Sequence, residues 1–170
     1  MVRRMLRKVL VVALTALAVT LGGCGFNTRG DASKAIARFL TAVHNNDRAA
    51  FEAGIDRPML RNDVRVQLTE VANAKGVVVE GGPSEFAIDR MITPAAFRLV
   101  ETGTDRPLSR PPEAAQILPI LKVNSPTRVY VCDARKENCK LCFAKIDGVW
   151  RLIEMQLTDK IEVPPMPSKK

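Results

Sequence analysis

Lys140-Leu-Cys-Phe-Ala-Lys-Ile146, Asp147-Gly148, Val149-Trp-Arg-Leu-Ile-Glu-Met155 decides the fold of this chain. Asp-Gly between two runs rich in branched and aromatic residues is a strong hairpin signal, because both turn positions need positive φ. It pairs Ile146 with Val149 and so sets the register of every residue behind them. Counting out from the turn, Ala144, Ile146, Val149 and Ile153 share one face. Leu141, Phe143, Trp150 and Leu152 share the other. Both faces are apolar, so both call for cover from helices, sheet curvature or a partner. Arg128-Val-Tyr-Val-Cys132 reads as a further strand of the same antiparallel meander.

Upstream of Asn124 the texture is helical. Ile36, Phe39, Leu40 and Val43 form an i, i+3, i+4, i+7 stripe, which predicts a helix over 31–46 with Asp31 or Ser33 as its cap and Asn45-Asn46 as its stop. Asp47 caps a short second helix that turns Ala50, Phe51 and Ile55 inward. Asp56-Arg57-Pro58 starts a third, with the seam Leu60, Val64, Leu68 and Val71. Gly76 to Pro83 is a break, with Val77-Val78-Val79 assigned to a loop or helix end. Phe86 to Met91 reads as a helix. Thr93-Pro94 predicts another that continues through Ala95 to Glu101, with Gly103 as its C-terminal glycine. A last helix over 112–121 is interrupted near Pro119. The fold class is α+β: N-terminal helices packed on a C-terminal antiparallel sheet of three to four strands, an order that resembles the cone of nuclear transport factor two.

The N-terminus supplies an address. Arg3, Arg4, Arg7 and Lys8 precede an apolar run, Leu10 to Leu21, which is short for a span of roughly 20 residues and reads as a signal peptide. Arg3-Arg4 only loosely matches a twin-arginine export signal. Leu21-Gly22-Gly23-Cys24 resembles the bacterial lipobox, which implies acylation of Cys24 and a lipid-anchored protein facing the periplasm. Gly25, in place of Asp, favours the outer membrane. Two acyl chains make a stable anchor where one is marginal. The expected organisation is a signal peptide over 1–23, a tether over 24–30, one domain over 31–160 and a disordered tail over 161–170.

The chain has 170 residues and a net charge of +8. Four of those positive charges lie in the leader with no acid beside them, which leaves the mature chain near +4. A mild excess of this kind points to no nucleic-acid partner. The membrane, through Cys24, is the expected partner, with an envelope protein as a second.

Three cysteines remain after Cys24. A symmetric turn centred on Arg135-Lys136 places Cys132 opposite Cys139, which suits a disulfide in an oxidising envelope. Cys142 then points to the other face as a buried thiol, and a Cys132–Cys142 bridge would need a bulge. Cys139-Lys-Leu-Cys142 lacks the helix start that activates a redox pair of this spacing. His44 is the only histidine, far in sequence from the cysteines, so neither a metal nor any other cofactor is expected. The acids Asp47, Glu52, Asp56, Glu70, Asp89, Glu101 and Glu154 are scattered. Asp56 and Asp89 read as caps. No nucleophile elbow or phosphate loop is present, and no catalytic residue is assigned.

The order of these signals resembles a bacterial lipoprotein family, domain-of-unknown-function family 2939, over 32–157. Asp56-Arg57-Pro58-x-Leu60-Arg61 and Gly148-Val149-Trp150-Arg151-Leu152 carry the likeness, with MITPAAFRLV between them. The resemblance implies an envelope protein of similar architecture and brings no catalytic residues. The leading expectation is therefore a non-enzymatic, lipid-anchored protein that binds a partner or stabilises an envelope assembly. The alternative is a small-molecule site or small enzyme in a cone pocket lined by Phe39, Tyr130, Phe143 and Trp150, with Glu154 or Asp89 as its acid.

Overall fold

The computed structural model describes residues 24–77, 81–157 and 160–167. Residues 1–23, where a signal peptide is expected, residues 78–80, which include Val78-Val79 of the expected break, and residues 158–159 and 168–170 lie outside them. Helices α1 (Cys24–His44), α2 (Arg48–Ala53), α3 (Arg57–Ala74) and α4 (Glu85–Met91) come first. A 3-10 turn (Pro94–Ala96), strand β1 (Leu99–Glu101), helix α5 (Ala114–Ile117) and a second 3-10 turn (Leu118–Ile120) follow. Strands β2 (Leu121–Ser125), β3 (Arg128–Cys132), β4 (Cys139–Ile146) and β5 (Val149–Met155) form an antiparallel sheet in the order 2-3-4-5. A short strand, β6 (Ile161–Val163), pairs in parallel with β1. The fold is α+β, helices first and sheet last.

The hairpin turns as its sequence demands. Ile146 pairs with Val149, and Asp147 and Gly148 take φ of 50° and 80°, the two positive values of a type I′ turn. The face assignment holds up to Leu152 and then changes. Phe143 pairs with Leu152 but Cys142 pairs with Glu154, so Ile153 is an extra residue in a bulge. A bulge resets the period of two. Met155 therefore joins Leu141 on the core face, while Glu154 is placed beside Cys142 on the outer face.

The core lies between the helices and the inner sheet face. Ile36, Phe39, Leu40 and Val43 of α1, Phe51 of α2, Leu60 and Val64 of α3 and Ile88 of α4 pack with Val129, Val131, Leu141, Phe143, Leu152 and Met155. Four rings form its centre. Phe39 lies 5.4 Å from Phe51, 5.4 Å from Phe143 and 6.0 Å from Phe97, centroid to centroid. Spacings and tilts of this kind are the favoured aromatic geometry.

The sheet edge at β5 is closed rather than left open to pairing. Leu152 N–H donates to Gly54 O (2.9 Å) and Asp56 N–H donates to Leu152 O (2.9 Å). Farther along, Met155 N–H donates to Asp63 Oδ2 (2.9 Å) and Leu157 N–H to Gln67 Oε1 (3.1 Å), both acceptors on α3. Side chains of a helix thus take the place of a fifth strand, which blunts the edge.

Several local expectations are corrected. The segment 24–30 is helical and continuous with α1. Its glycines argue against a helix, but Arg29 Nη2 donates to Leu118 O (2.8 Å) and fastens this turn to the body of the domain, a tertiary contact that outweighs propensity. Neither Asp31 nor Ser33 is therefore a cap; Ser33 Oγ donates to Gly30 O within the helix (2.8 Å). The helix predicted through Ala95 to Glu101 stops after Ala96, and Leu99–Glu101 is a strand. Its partner is β6, drawn from the stretch assigned to a disordered tail, where Ile161 and Val163 are buried. Finally, Asp89 lies inside α4, where Ser84 is the cap, and is bound to arginines of α3.

Candidate functional site

Two depressions carry most of the chemistry, one on each face of the sheet. The first opens where α1, α2 and the tip of the β4–β5 hairpin meet, with a volume of about 460 Å³. The core face of the sheet runs out here. Lys145 pairs with Trp150 across the hairpin, and its ammonium lies 5.9 Å from the centre of the indole, within cation–π range. Ala35, Ala50, Ala53, Gly54, Phe39 and Trp150 make an apolar floor. Lys34 and Arg38, one turn apart on α1, stand over it with Lys145, and Asp31 is the one acid in the lining. Among the described residues none of the three cations is in an ion pair.

Two further details belong to this groove. Gly54 cannot carry a side chain without displacing its neighbour, since a Cβ there would stand 2.8 Å from Phe39 Cδ2. Trp150 is only 8% exposed and its indole N–H is buried with no acceptor among the described residues. A buried donor of that kind carries a desolvation penalty of roughly 1–3 kcal/mol.

The second depression, about 590 Å³, lies on the outer face between the sheet and α3. Tyr130, Cys142 and Glu154 come together in it from β3, β4 and β5, with Asp63 and Gln67 of α3 alongside. Glu70 and Glu137 also line it, with Lys140 as the one cation. Cys142 is the direct cross-strand neighbour of Tyr130 on one side and of Glu154 on the other. Burial, reinforced by the Glu154 charge, pushes the thiol up to about 12. Burial also raises the Tyr130 phenol, with Cys142 adding to it. The Asp63 carboxyl is raised by burial first, against the lowering effect of Met155 N–H, and the Glu154 charge raises it further. Each of these shifts favours the neutral form. A neutral thiol is a poor nucleophile and a poor metal ligand.

Cys132 and Cys139 form a disulfide, with Cys142 as the free thiol. The pairing differs in one detail from a symmetric turn. Val131 pairs with Leu141, so Lys140 is an extra residue, and this bulge brings the two cysteines face to face. Inside the loop Asp133 accepts hydrogen bonds from the N–H groups of Glu137 (3.0 Å) and Asn138 (3.3 Å), which lower its carboxyl.

Phe39, Phe143 and Trp150 lie on the core side of the sheet and Tyr130 on the outer side, so the four do not line one cavity. Phe143 is enclosed in the ring cluster, and the space a cone pocket would occupy is filled by side chains. Cys24 is the first residue of α1. His44 ends that helix with Nε2 3.2 Å from Leu108 O and Nδ1 3.1 Å from Asn45 Oδ1, which ties it to a loop.

The motif Asp56-Arg57-Pro58-x-Leu60-Arg61 is structural throughout. Asp56 caps α3 by accepting from Met59 N–H (3.1 Å). Arg57 is paired with Glu52 and reaches Asp89 at 3.0 Å, and Arg61 binds Asp89 in a two-pronged contact at 2.8 and 2.7 Å. Arg61 and then Arg57 hold the Asp89 carboxyl below its usual range, so Asp89 is no proton donor. Sequence reasoning passed over Lys34, Arg38, Lys145, Asp63 and Gln67. The first two show in the sequence as an i, i+4 basic pair beside the apolar stripe; the role of Asp63 at the strand edge carries no local signal, because the Met155 N–H it accepts from lies about ninety residues on. No protein-family model, curated protein or solved structure matches the chain.

Proposed function

We propose that this chain is a non-enzymatic, lipid-anchored protein of the bacterial envelope, held by Cys24 and facing the periplasm, whose folded domain binds a partner or ligand. Membership of the envelope family it resembles is part of that proposal. The observation that carries it is the contrast between the interior and the groove. The interior at the centre of the domain is filled by the packed rings of Phe39, Phe51, Phe97 and Phe143. Asp89 is locked between two arginines and Cys142 is held as a neutral thiol. The groove has an apolar floor and three cations against a single carboxylate, Asp31, a surface fit for binding. No described helix is long and apolar enough to cross a membrane.

The test is to express the full chain and its Cys24→Ala variant with a labelled fatty acid and to fractionate the cells. Label and membrane association are expected in the parent and lost in the variant. An unlabelled parent chain overturns the anchor.

A further inference from the structure

From the groove at the hairpin tip we infer a binding site for an anionic phospholipid, its phosphate among Lys34, Arg38 and Lys145 and its first methylenes on the apolar floor. Three features of the groove converge on that chemistry. The cations are unpaired among the described residues and outnumber Asp31, the single acid in the lining. Charges gathered this way repel one another and gain from a shared anion. Beneath them Ala35, Ala50, Ala53, Gly54 and Trp150 offer apolar surface, which a bare inorganic anion cannot use and an acyl chain can. The Trp150 indole N–H is buried with no acceptor among the described residues. Trp combines an apolar body with a polar handle, the pairing that suits the boundary between chain and headgroup.

Size and shape agree with a headgroup rather than a whole lipid. A volume of about 460 Å³ lies within the usual range of small-molecule sites, roughly 300–1,000 Å³. The absence of a side chain at Gly54 keeps the floor low, since a Cβ there would collide with Phe39. The outer-face depression offers the reverse chemistry: four acids, Asp63, Glu70, Glu137 and Glu154, against one lysine. An anionic headgroup is therefore directed to one side of the sheet and repelled from the other.

The phospholipid deepens the binding reading above and does not depend on the Cys24 anchor. Trp150 is the only tryptophan of the chain, so its fluorescence reports on the groove directly. The full chain, held in a non-ionic detergent, is titrated with dihexanoyl phosphatidylglycerol, dihexanoyl phosphatidylcholine and inorganic phosphate. A saturable change with the first, at least about tenfold tighter than with either other probe, is expected, since a charge-assisted contact is worth about that factor. Lys34→Ala with Arg38→Ala is expected to weaken it about tenfold or more, with the circular dichroism spectrum unchanged. Equal binding of phosphatidylcholine overturns the anionic part, and equal binding of inorganic phosphate overturns the apolar part. An unaltered titration in the double variant, or no saturable change at all, overturns the site. Failure of the acylation assay above leaves this titration standing, so the anchor and the ligand fail separately.

Discussion

The two depressions on either side of the sheet differ in who answers their polar groups. On the outer face the protein answers them itself. Asp63 accepts from Met155 N–H and from Gln67 Nε2, both at 2.9 Å, and Cys142 is enclosed between its strand neighbours Tyr130 and Glu154. At the groove Lys34 and Arg38 have no ion-pair partner among the described residues, Lys145 only overlies an indole ring, and the buried N–H of that ring has no acceptor among the described residues. Internally satisfied polar groups hold a fold together, and unsatisfied ones are where a fold departs from its own optimum. Such departures mark function more often than satisfied clusters do. The outer cluster has the more reactive residue types, yet the groove is the better candidate for binding.

Mutations separate the two regions because each touches a different term. The largest effect is expected where the groove floor and the core are the same side chain. Phe39 lines the groove and stacks on Phe51 and Phe143. Phe39→Ala leaves a cavity at the ring cluster and is expected to cost about 3–5 kcal/mol in a urea melt. A loss below about 1 kcal/mol would mean that the floor is not part of the core, and the comparison between a filled interior and an open groove would break.

The outer cluster comes next. Asp63→Ala strips the edge strand of an acceptor and leaves Met155 N–H without its partner, an expected loss of about 1–3 kcal/mol. Asp63→Asn keeps an acceptor and should recover part of it. The pH dependence has a definite sign. Burial raises the folded-state Asp63 carboxyl above its unfolded value, so the folded state binds the proton more tightly. The stability contributed by the protonated form is fully present below the unfolded value, near 3.9, and is lost as pH rises through the folded one. Asp89, lowered by Arg61 and Arg57, runs the opposite way. Its contribution is present above the unfolded value and lost as pH falls through the folded one. Melting curves of Asp63→Asn and Asp89→Asn between pH 3 and 7 (a window set by the reference carboxylate values) should therefore bend in opposite directions relative to the parent. Parallel curves would remove the distinction between a carboxyl shifted upward by burial and one shifted downward by arginines.

The legibility of this chain follows the range of its interactions. The hairpin, its turn residues and the Asp47 and Asp56 caps are local, and each was readable in a few consecutive residues. The pairing of Cys132 with Cys139 was readable too, from the symmetry of a six-residue loop. What escaped was set by distant partners. Leu99–Glu101 resembles helix in isolation and becomes strand because Ile161–Val163 lies beside it. The bulge at Ile153, which places Glu154 next to Cys142, leaves no mark on an alternating sequence. The pocket expected from Phe39, Tyr130, Phe143 and Trp150 dissolved for a related reason. Alternation along a strand separates faces, but only the cross-strand register shows which face meets the helices, and Tyr130 is on the other one.

The thiol sharpens the comparison further by rate rather than by stability. With Cys142 pushed up to about 12 and only 2% exposed, its thiolate fraction at pH 8 is about one in ten thousand. Alkylation of the native chain by iodoacetamide is expected to be slow and to accelerate sharply on unfolding, with the Cys132–Cys139 disulfide intact throughout. Fast labelling of Cys142 in the native chain would show an accessible, activated thiol and would return the outer face to consideration as a reactive site.

The smallest effect on stability is expected at the groove rim, and its smallness is informative. Lys34 and Arg38 are exposed, lie one turn apart on α1, and make no ion pair with a described residue. Removing them deletes no packing and no hydrogen bond, and surface changes of this kind fall within about 0.5 kcal/mol of zero. Two like charges four residues apart on a helix repel by about 0.2–0.5 kcal/mol, so Lys34→Ala is expected to leave the melting temperature unchanged or slightly raised. If these cations serve only the fold, the same substitution should lower it. A neutral or stabilising outcome, together with loss of ligand-dependent fluorescence at Trp150, places the rim where the structure has no use of its own for it and a ligand does. A clear destabilisation would reverse the contrast between the two faces and make the groove one more internally satisfied part of the domain.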